Sequence, residues 1–171
     1  TTMRGPSRKF RAGRMITAAD LPDLPAHIRT LFFGGISLMV EPGGAAYEAL
    51  MQRGAASGRV IMIDPNIRPS FISDEASYRA RIGRMMAMSD IVKLSDEDLR
   101  WLEGEGEIGD LAAGLLDRGP KVVFVTEGAR GAHAFTQRDA VFVPAKKGTV
   151  ADTVGAGDTF NGALAVGLAA G

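Results

Sequence analysis

The chain has no cysteine in its 171 residues. This excludes disulfides and thiolate metal sites, and it suits a reducing compartment. Histidine is scarce too: there are only His27 and His133. Neither has a second ligand-type residue spaced to pair with it, so no histidine metal centre is expected. Aromatics make up 6% of the chain, with one tryptophan. Trp101 is therefore read as a packing anchor and not as a stacking platform. Net charge is also lacking, because 20 basic residues balance 20 acidic ones. That leaves no electrostatic footprint for nucleic acid or an anionic membrane. No apolar run approaches the ~20 residues that a membrane span requires. What is abundant is ordinary core material: 46% apolar residues, with eight methionines as flexible filler. The length is one domain's worth and can bury a sizeable core. A cytoplasmic globular protein is the expectation.

Strand and helix signals alternate along the chain, the mark of a parallel sheet with crossover helices. Strands are expected at Leu31 to Leu38, Arg59 to Asp64, Asp90 to Leu94 and Lys121 to Thr126. A hairpin is expected from Gly131 to Pro144 around Gln137-Arg-Asp. Helices are expected at Ala45 to Ala56, Asp74 to Met88, from Ser95 onward, and at Glu107 to Arg118. Ser73 or Asp74 serves as an N-cap for the second of these, and Gly119-Pro120 stops the last. A final helix starts near Gly155. Residues 1–14 are basic, lack an apolar period and are expected to be irregular. With no internal repeat and no low-complexity linker, 1–171 is read as a single α/β domain.

The most informative stretch is Asp-Thr-Val-Gly-Ala-Gly-Asp-Thr-Phe-Asn-Gly-Ala-Leu-Ala, Asp152 to Ala165. Gly155, Ala156 and Gly157 put almost no side chain in front of a helix N-terminus. Free backbone N–H groups there carry the positive end of the helix dipole and suit a phosphate. Asp158 follows in the first turn, where its carboxylate can accept a proton from a hydroxyl. By spacing alone, a plain structural turn into a buried helix explains the pattern equally well. The whole stretch, however, resembles the C-terminal signature of the PfkB, or ribokinase-like, carbohydrate kinases. That resemblance implies an anion hole for the transferred phosphate at Gly155, Ala156 and Gly157, with Asp158 as catalytic base.

In open α/β sheets ligands bind beyond the carboxyl ends of the strands, and three polar clusters fall there. The first, Asp64-Pro-Asn-Ile-Arg68, is by itself most simply a Pro-containing turn. It resembles the Asp-x-Asn-x-Arg motif of fructokinases and 2-keto-3-deoxygluconate kinases, which implies a substrate-side role for Asp64, Asn66 and Arg68. The second, Lys93-Leu-Ser-Asp-Glu-Asp98, reads by itself as an N-capped acidic helix start. The family has Asn-x-x-Glu here, which helps organise Mg²⁺ and the phosphates. Ser95 and Asp98 hold the matching positions, and both depart from that pattern. The third, Thr126-Glu-Gly-Ala-Arg-Gly131, resembles the family's Thr-x-Gly-x-x-Gly turn. That implies nucleotide-phosphate contacts for Thr126, Gly128 and Gly131, where glycine lets the backbone approach closely.

The resemblance covers nearly all of this chain but only about the second half of such a kinase. It implies a partial ribokinase-like, Rossmann-type three-layer fold with a mostly parallel sheet, forming the C-terminal nucleotide-binding portion of a longer enzyme. It implies ATP-dependent phosphorylation of a sugar or sugar acid, with ATP and Mg²⁺, and is compatible with a homo-oligomer. No protein ligand for the metal is singled out. The alternative is a truncated, non-catalytic remnant that keeps only a nucleotide or anion site. A dinucleotide-binding domain fits poorly, because the glycine-rich signature lies at the last strand–helix junction and no acidic residue follows at the required distance.

Overall fold

The computed structural model describes residues 15–146 and 155–170. Those residues form one six-stranded sheet in which strand order follows chain order. The strands are β1 (Thr30–Gly34), β2 (Val60–Asp64), β3 (Ile91–Ser95), β4 (Val122–Thr126), β5 (Gly131–Phe135) and β6 (Ala140–Pro144). The pairs from β1 to β4 are parallel, while β5 and β6 are antiparallel additions. The helices are α1 (Gly43–Ala56), α2 (Glu75–Ala87), α3 (Asp96–Glu103), α4 (Ile108–Leu116) and α5 (Ala156–Ala170).

Alternation along the strands divides the sheet into two faces. Ile61 and Ile63, Val92 and Leu94, and Val123 and Val125 are fully buried on one face, in a cluster with Met51 of α1, Ile82 and Met85 of α2, Leu99 of α3 and Leu115 of α4. The other face carries Met62, Asp64, Lys93, Phe124 and Thr126. There α5 packs, with Phe160 edge-on to Phe124 at a centroid separation of 6.0 Å. Helices on both faces of a mostly parallel sheet make three layers, as the expected fold class requires.

Several local signals translate directly. Asp74 caps α2, its carboxylate accepting from the Ser77 amide at 3.0 Å. Ser95 caps α3, its hydroxyl accepting from the Asp98 amide at 3.0 Å. Trp101 packs edge-on to Tyr78, and the Arg79 guanidinium lies 3.7 Å above its ring. The first strand is shorter than expected. It ends at Gly34, and Gly35–Leu38 turns as a 3₁₀ helix. The reason is tertiary: Gly35 lies against the loop after β2, where a Cβ would come within 1.7 Å of the Pro65 carbonyl oxygen. The expected irregular segment, residues 1–14, lies outside the described residues.

Candidate active site

The strand register gathers the polar clusters along one edge. Gly34 is level with Asp64, and Ser95 is level with Thr126. All four are the last residues of their strands, so the carboxyl edge of the sheet presents the predicted Asp64, Ser95 and Thr126 side by side. The helix α5 reaches this edge on the face opposite α1–α4 and starts there with Ala156, Gly157 and Asp158.

Two contacts fix that helix start. Phe160 rests on Phe124 of β4, and Asn161 Nδ2 donates to Asp64 Oδ2 at 2.7 Å. Asp64 is buried, and the same oxygen accepts from Lys93 Nζ at 3.0 Å. Its other oxygen accepts from the Asn66 amide at 3.2 Å. The carboxylate therefore accepts from three donors, contributed by β3, α5 and its own loop. Asn66 adopts a positive φ of 42°, the left-handed conformation that asparagine tolerates better than most residues. Ile67 donates its amide to Asp98 Oδ1 at 3.2 Å, so the loop after β2 is also tied to α3.

Asp98 sits in a low-dielectric position. Burial holds its carboxyl above the ordinary aspartate value, and the nearby Asp64 carboxylate pushes the same way. The hydrogen bond with Ser95, the Ile67 amide and the charge on Arg68 pull it down without cancelling the shift. Arg68 itself is exposed, and its guanidinium donates to the Ile67 carbonyl at 2.8 Å. Asp158 is exposed in the first turn of α5.

A cavity of about 480 Å³ lies between the sheet and α5. Its lining joins Thr126, Gly128 and Gly131 of the β4–β5 turn to Ala156 and Gly157 of the helix start. Phe124, Val141, Val143 and Phe160 give it apolar walls. Gly128 and Gly155 have φ of +55° and +81°, and a Cβ at either would meet nothing within 4 Å. Their backbones are thus open to close approach. The Thr126 hydroxyl is tied back to the Leu94 carbonyl at 3.3 Å. The turn is braced from outside by Glu127, which pairs with Arg130 at 2.5 Å and with His133 at 2.6 Å.

The structure thus draws the predicted residues into two adjoining groups. Asp64, Asn66, Ser95 and Asp98 form a hydrogen-bonded scaffold, while Thr126, Gly128, Gly131, Ala156 and Gly157 line one cavity. Arg68 and Asp158 stand exposed beside them. Asp152, Thr153 and Val154 of the signature lie outside the described residues. Lys93 and Asn161 were not singled out from sequence. One signal for Lys93 was available: a charge within the apolar run Ile91-Val-Lys-Leu94 cannot be buried cheaply without a partner. Among the described residues no group of three or more His, Asp or Glu side chains could hold a metal ion, and no helix is long and apolar enough to cross a membrane.

A mostly parallel sheet between helices, with a glycine-framed helix start at its carboxyl edge, defines a ribokinase-like α/β protein. The match to a family model described as pfkB family carbohydrate kinase extends over residues 4–171, and the chain belongs to that family. It is 55% identical over 157 residues to a fructokinase of Rhizobium leguminosarum bv. trifolii, covering 92% of this chain and 48% of that protein. It is 34% identical to a fructokinase of Klebsiella pneumoniae, covering 88% of this chain and 49% of that one. The fold matches a crystal structure of Vibrio cholerae O395 fructokinase, bound to fructose, ADP and calcium ion, with a TM-score of 0.80 at 29% identity. That match covers 87% of this chain and 48% of the other. The chain spans about half the length of these curated relatives.

Proposed function

We propose that this chain is the nucleotide-binding, C-terminal portion of an ATP-dependent sugar kinase. The observation that carries the reading is the shared cavity, in which the Thr126–Gly131 turn and the Ala156–Gly157 helix start line one space. Backbone amides at that helix start suit phosphate oxygens, and the open glycines Gly128 and Gly155 let phosphates come close. The apolar walls suit a planar base. The residues present therefore fit a nucleoside triphosphate.

Asp158 accepts the proton of the sugar hydroxyl. The hydroxyl oxygen bonds to the terminal phosphorus while the bond to the bridging oxygen breaks and ADP departs. Ala156 and Gly157 face the charge on the transferring group, with Gly155 providing the turn into the helix. Asp64, Asn66 and Asp98 hold the loop that ends at Arg68, and Ser95 caps the helix that carries Asp98. Mg²⁺, when bound, neutralises the nucleotide phosphates. Ser95 and Asp98, which hold the positions matching the family's Asn-x-x-Glu, are the residues that would help organise it. The fructokinase relatives make a ketohexose the first substrate to try, with a sugar acid second.

The test is sugar-dependent ADP formation by the full-length protein, with fructose and 2-keto-3-deoxygluconate compared at several Mg²⁺ concentrations. Turnover with one or both supports the reading. Nucleotide binding without turnover on any sugar would return the chain to a non-catalytic nucleotide-binding remnant.

A further inference from the structure

The β4–β5 turn holds a carboxylate that the phosphate reading leaves unused. Thr126 and Gly128 line the cavity, and Glu127 between them does not. Its side chain is only 9% exposed, a costly place for a charge without donors. Two donors meet it. Arg130 Nη2 lies 2.5 Å from Oε2, and His133 Nε2 lies 2.6 Å from Oε1. A carboxylate only accepts, so His133 Nε2 carries the hydrogen of that bond. The imidazole is itself held, stacked on Phe135 at 5.4 Å and against Phe142 at 4.6 Å. Arg130 then reaches out of the turn: the same Nη2 donates to Asp96 Oδ2 at 3.2 Å. Asp96 is the first residue of α3, and its Oδ2 also accepts from Arg100 at 3.2 Å. A run of charges thus joins β5, the nucleotide turn and the helix start that carries Ser95 and Asp98. Arg130 is 66% exposed, and a pair so open to solvent adds little stability. What it supplies is geometry. Gly128 leaves the backbone of the turn permissive, so side-chain ties must fix where that backbone stands.

We infer that Glu127 is a positioning residue for nucleotide binding. Held by His133 and joined through Arg130 to Asp96, it sets the Thr126–Gly131 turn against the start of α3, so that both meet the phosphates in one fixed arrangement. Glu127 touches no nucleotide itself. The inference rests on the kinase reading above and names the residues that set the nucleotide affinity of that same site.

The experiment compares the wild-type full-length protein with Glu127→Gln, Arg130→Met and the two combined. Glu127→Gln keeps the shape and removes the charge, and Arg130→Met changes an exposed side chain, so neither depends on a damaged core. Thermal melts monitor folding. KM is measured for ATP and for the sugar that supports turnover, and ADP affinity is measured directly with Mg²⁺ present. In each single variant KM for ATP and the Kd of ADP are expected to rise together, roughly tenfold. KM for the sugar should move by less than about twofold. The combined variant should be no worse than the more affected single one, because both act through one link. Unchanged nucleotide constants in both single variants overturn the inference. So do equal losses toward ATP and sugar with a lowered melting temperature, which leave Glu127 a structural support only, and so do additive losses in the combined variant. ADP affinity is read without turnover. A protein that shows the expected pattern in ADP binding yet phosphorylates no sugar would overturn the kinase reading and keep the role of Glu127.

Discussion

Gly35→Ala perturbs the site through packing alone, without touching any group assigned to chemistry. A Cβ at Gly35 would stand 1.7 Å from the Pro65 carbonyl oxygen, 2.7 Å from its carbonyl carbon and 2.9 Å from the Asn66 carbonyl oxygen. All three are backbone atoms, so no side-chain rotation relieves the clash. Real Cβ atoms keep at least 3.0 Å, so the Asp64–Arg68 loop or the Gly35 turn must retreat by roughly 1.3 Å, the difference between 1.7 and 3.0 Å. The loop is not free to do so. It is held by the Asn66 amide on Asp64 and the Ile67 amide on Asp98. Overpacking of this kind costs about 1–3 kcal/mol. A displacement of about 1 Å in a positioning element can cost on the order of 10²-fold in rate. The expected result in the full-length protein is a lower melting temperature together with a drop in kcat/KM for the sugar of tenfold to a hundredfold, order of magnitude. The assay pairs thermal denaturation with sugar-dependent ADP formation. A variant with wild-type melting temperature and wild-type kcat/KM would refute the reasoning, because the loop would then be free to shift without consequence.

Gly83→Ala is the contrasting change: Gly83 is exposed within α2 and a Cβ there meets nothing within 4 Å, so denaturant melts should show stabilisation of about 0.5–1 kcal/mol from helix propensity. Asp98→Asn should raise the melting temperature at neutral pH. Burial raises the folded-state value of Asp98, so its stabilising contribution is full below the unfolded aspartate value of about 3.9 and is lost as pH rises through the folded value. The difference between variant and wild type should thus grow with pH above about 4 and vanish below it, while activity falls; a pH-independent difference would contradict the shift. Arg68→Met should weaken use of 2-keto-3-deoxygluconate far more than use of fructose if the guanidinium reads a carboxylate, whereas equal losses through kcat would place Arg68 at the phosphate instead.

The parts of the fold legible in sequence are those set by local chemistry. The apolar run Val60 to Ile63, the Asp74 cap and the hairpin around Gln137-Arg-Asp each carry their own signal, and each appears within a residue or two of where that signal puts it. The end of β1 was not legible, because Gly34 and Gly35 give way to a turn under pressure from Pro65, some thirty residues on. The glycine-framed helix start was legible as a motif, since its amide-rich geometry needs small residues in a row. What holds it was not. Asn161 meets Asp64 across 97 residues, and Lys93 meets the same carboxylate across 29. A three-way contact of that kind depends on the register of β2 against β3 and on which face of the sheet α5 covers. Neither is written in a local pattern. Buried charge in an apolar strand was the one clue, and it names the residue that needs a partner without naming the partner.

The most direct test of the central claim is Asp158→Asn in the full-length protein, with turnover and nucleotide affinity measured on the same preparation. The substitution keeps the shape of the first turn of α5 and removes only the proton acceptor. The account predicts that sugar-dependent ADP formation falls by about 10²-fold or more, while ATP binds with nearly wild-type affinity in the cavity between Thr126 and Gly157. Turnover within roughly tenfold of wild type would contradict it, because a hydroxyl could then be activated without the carboxylate beside the helix start.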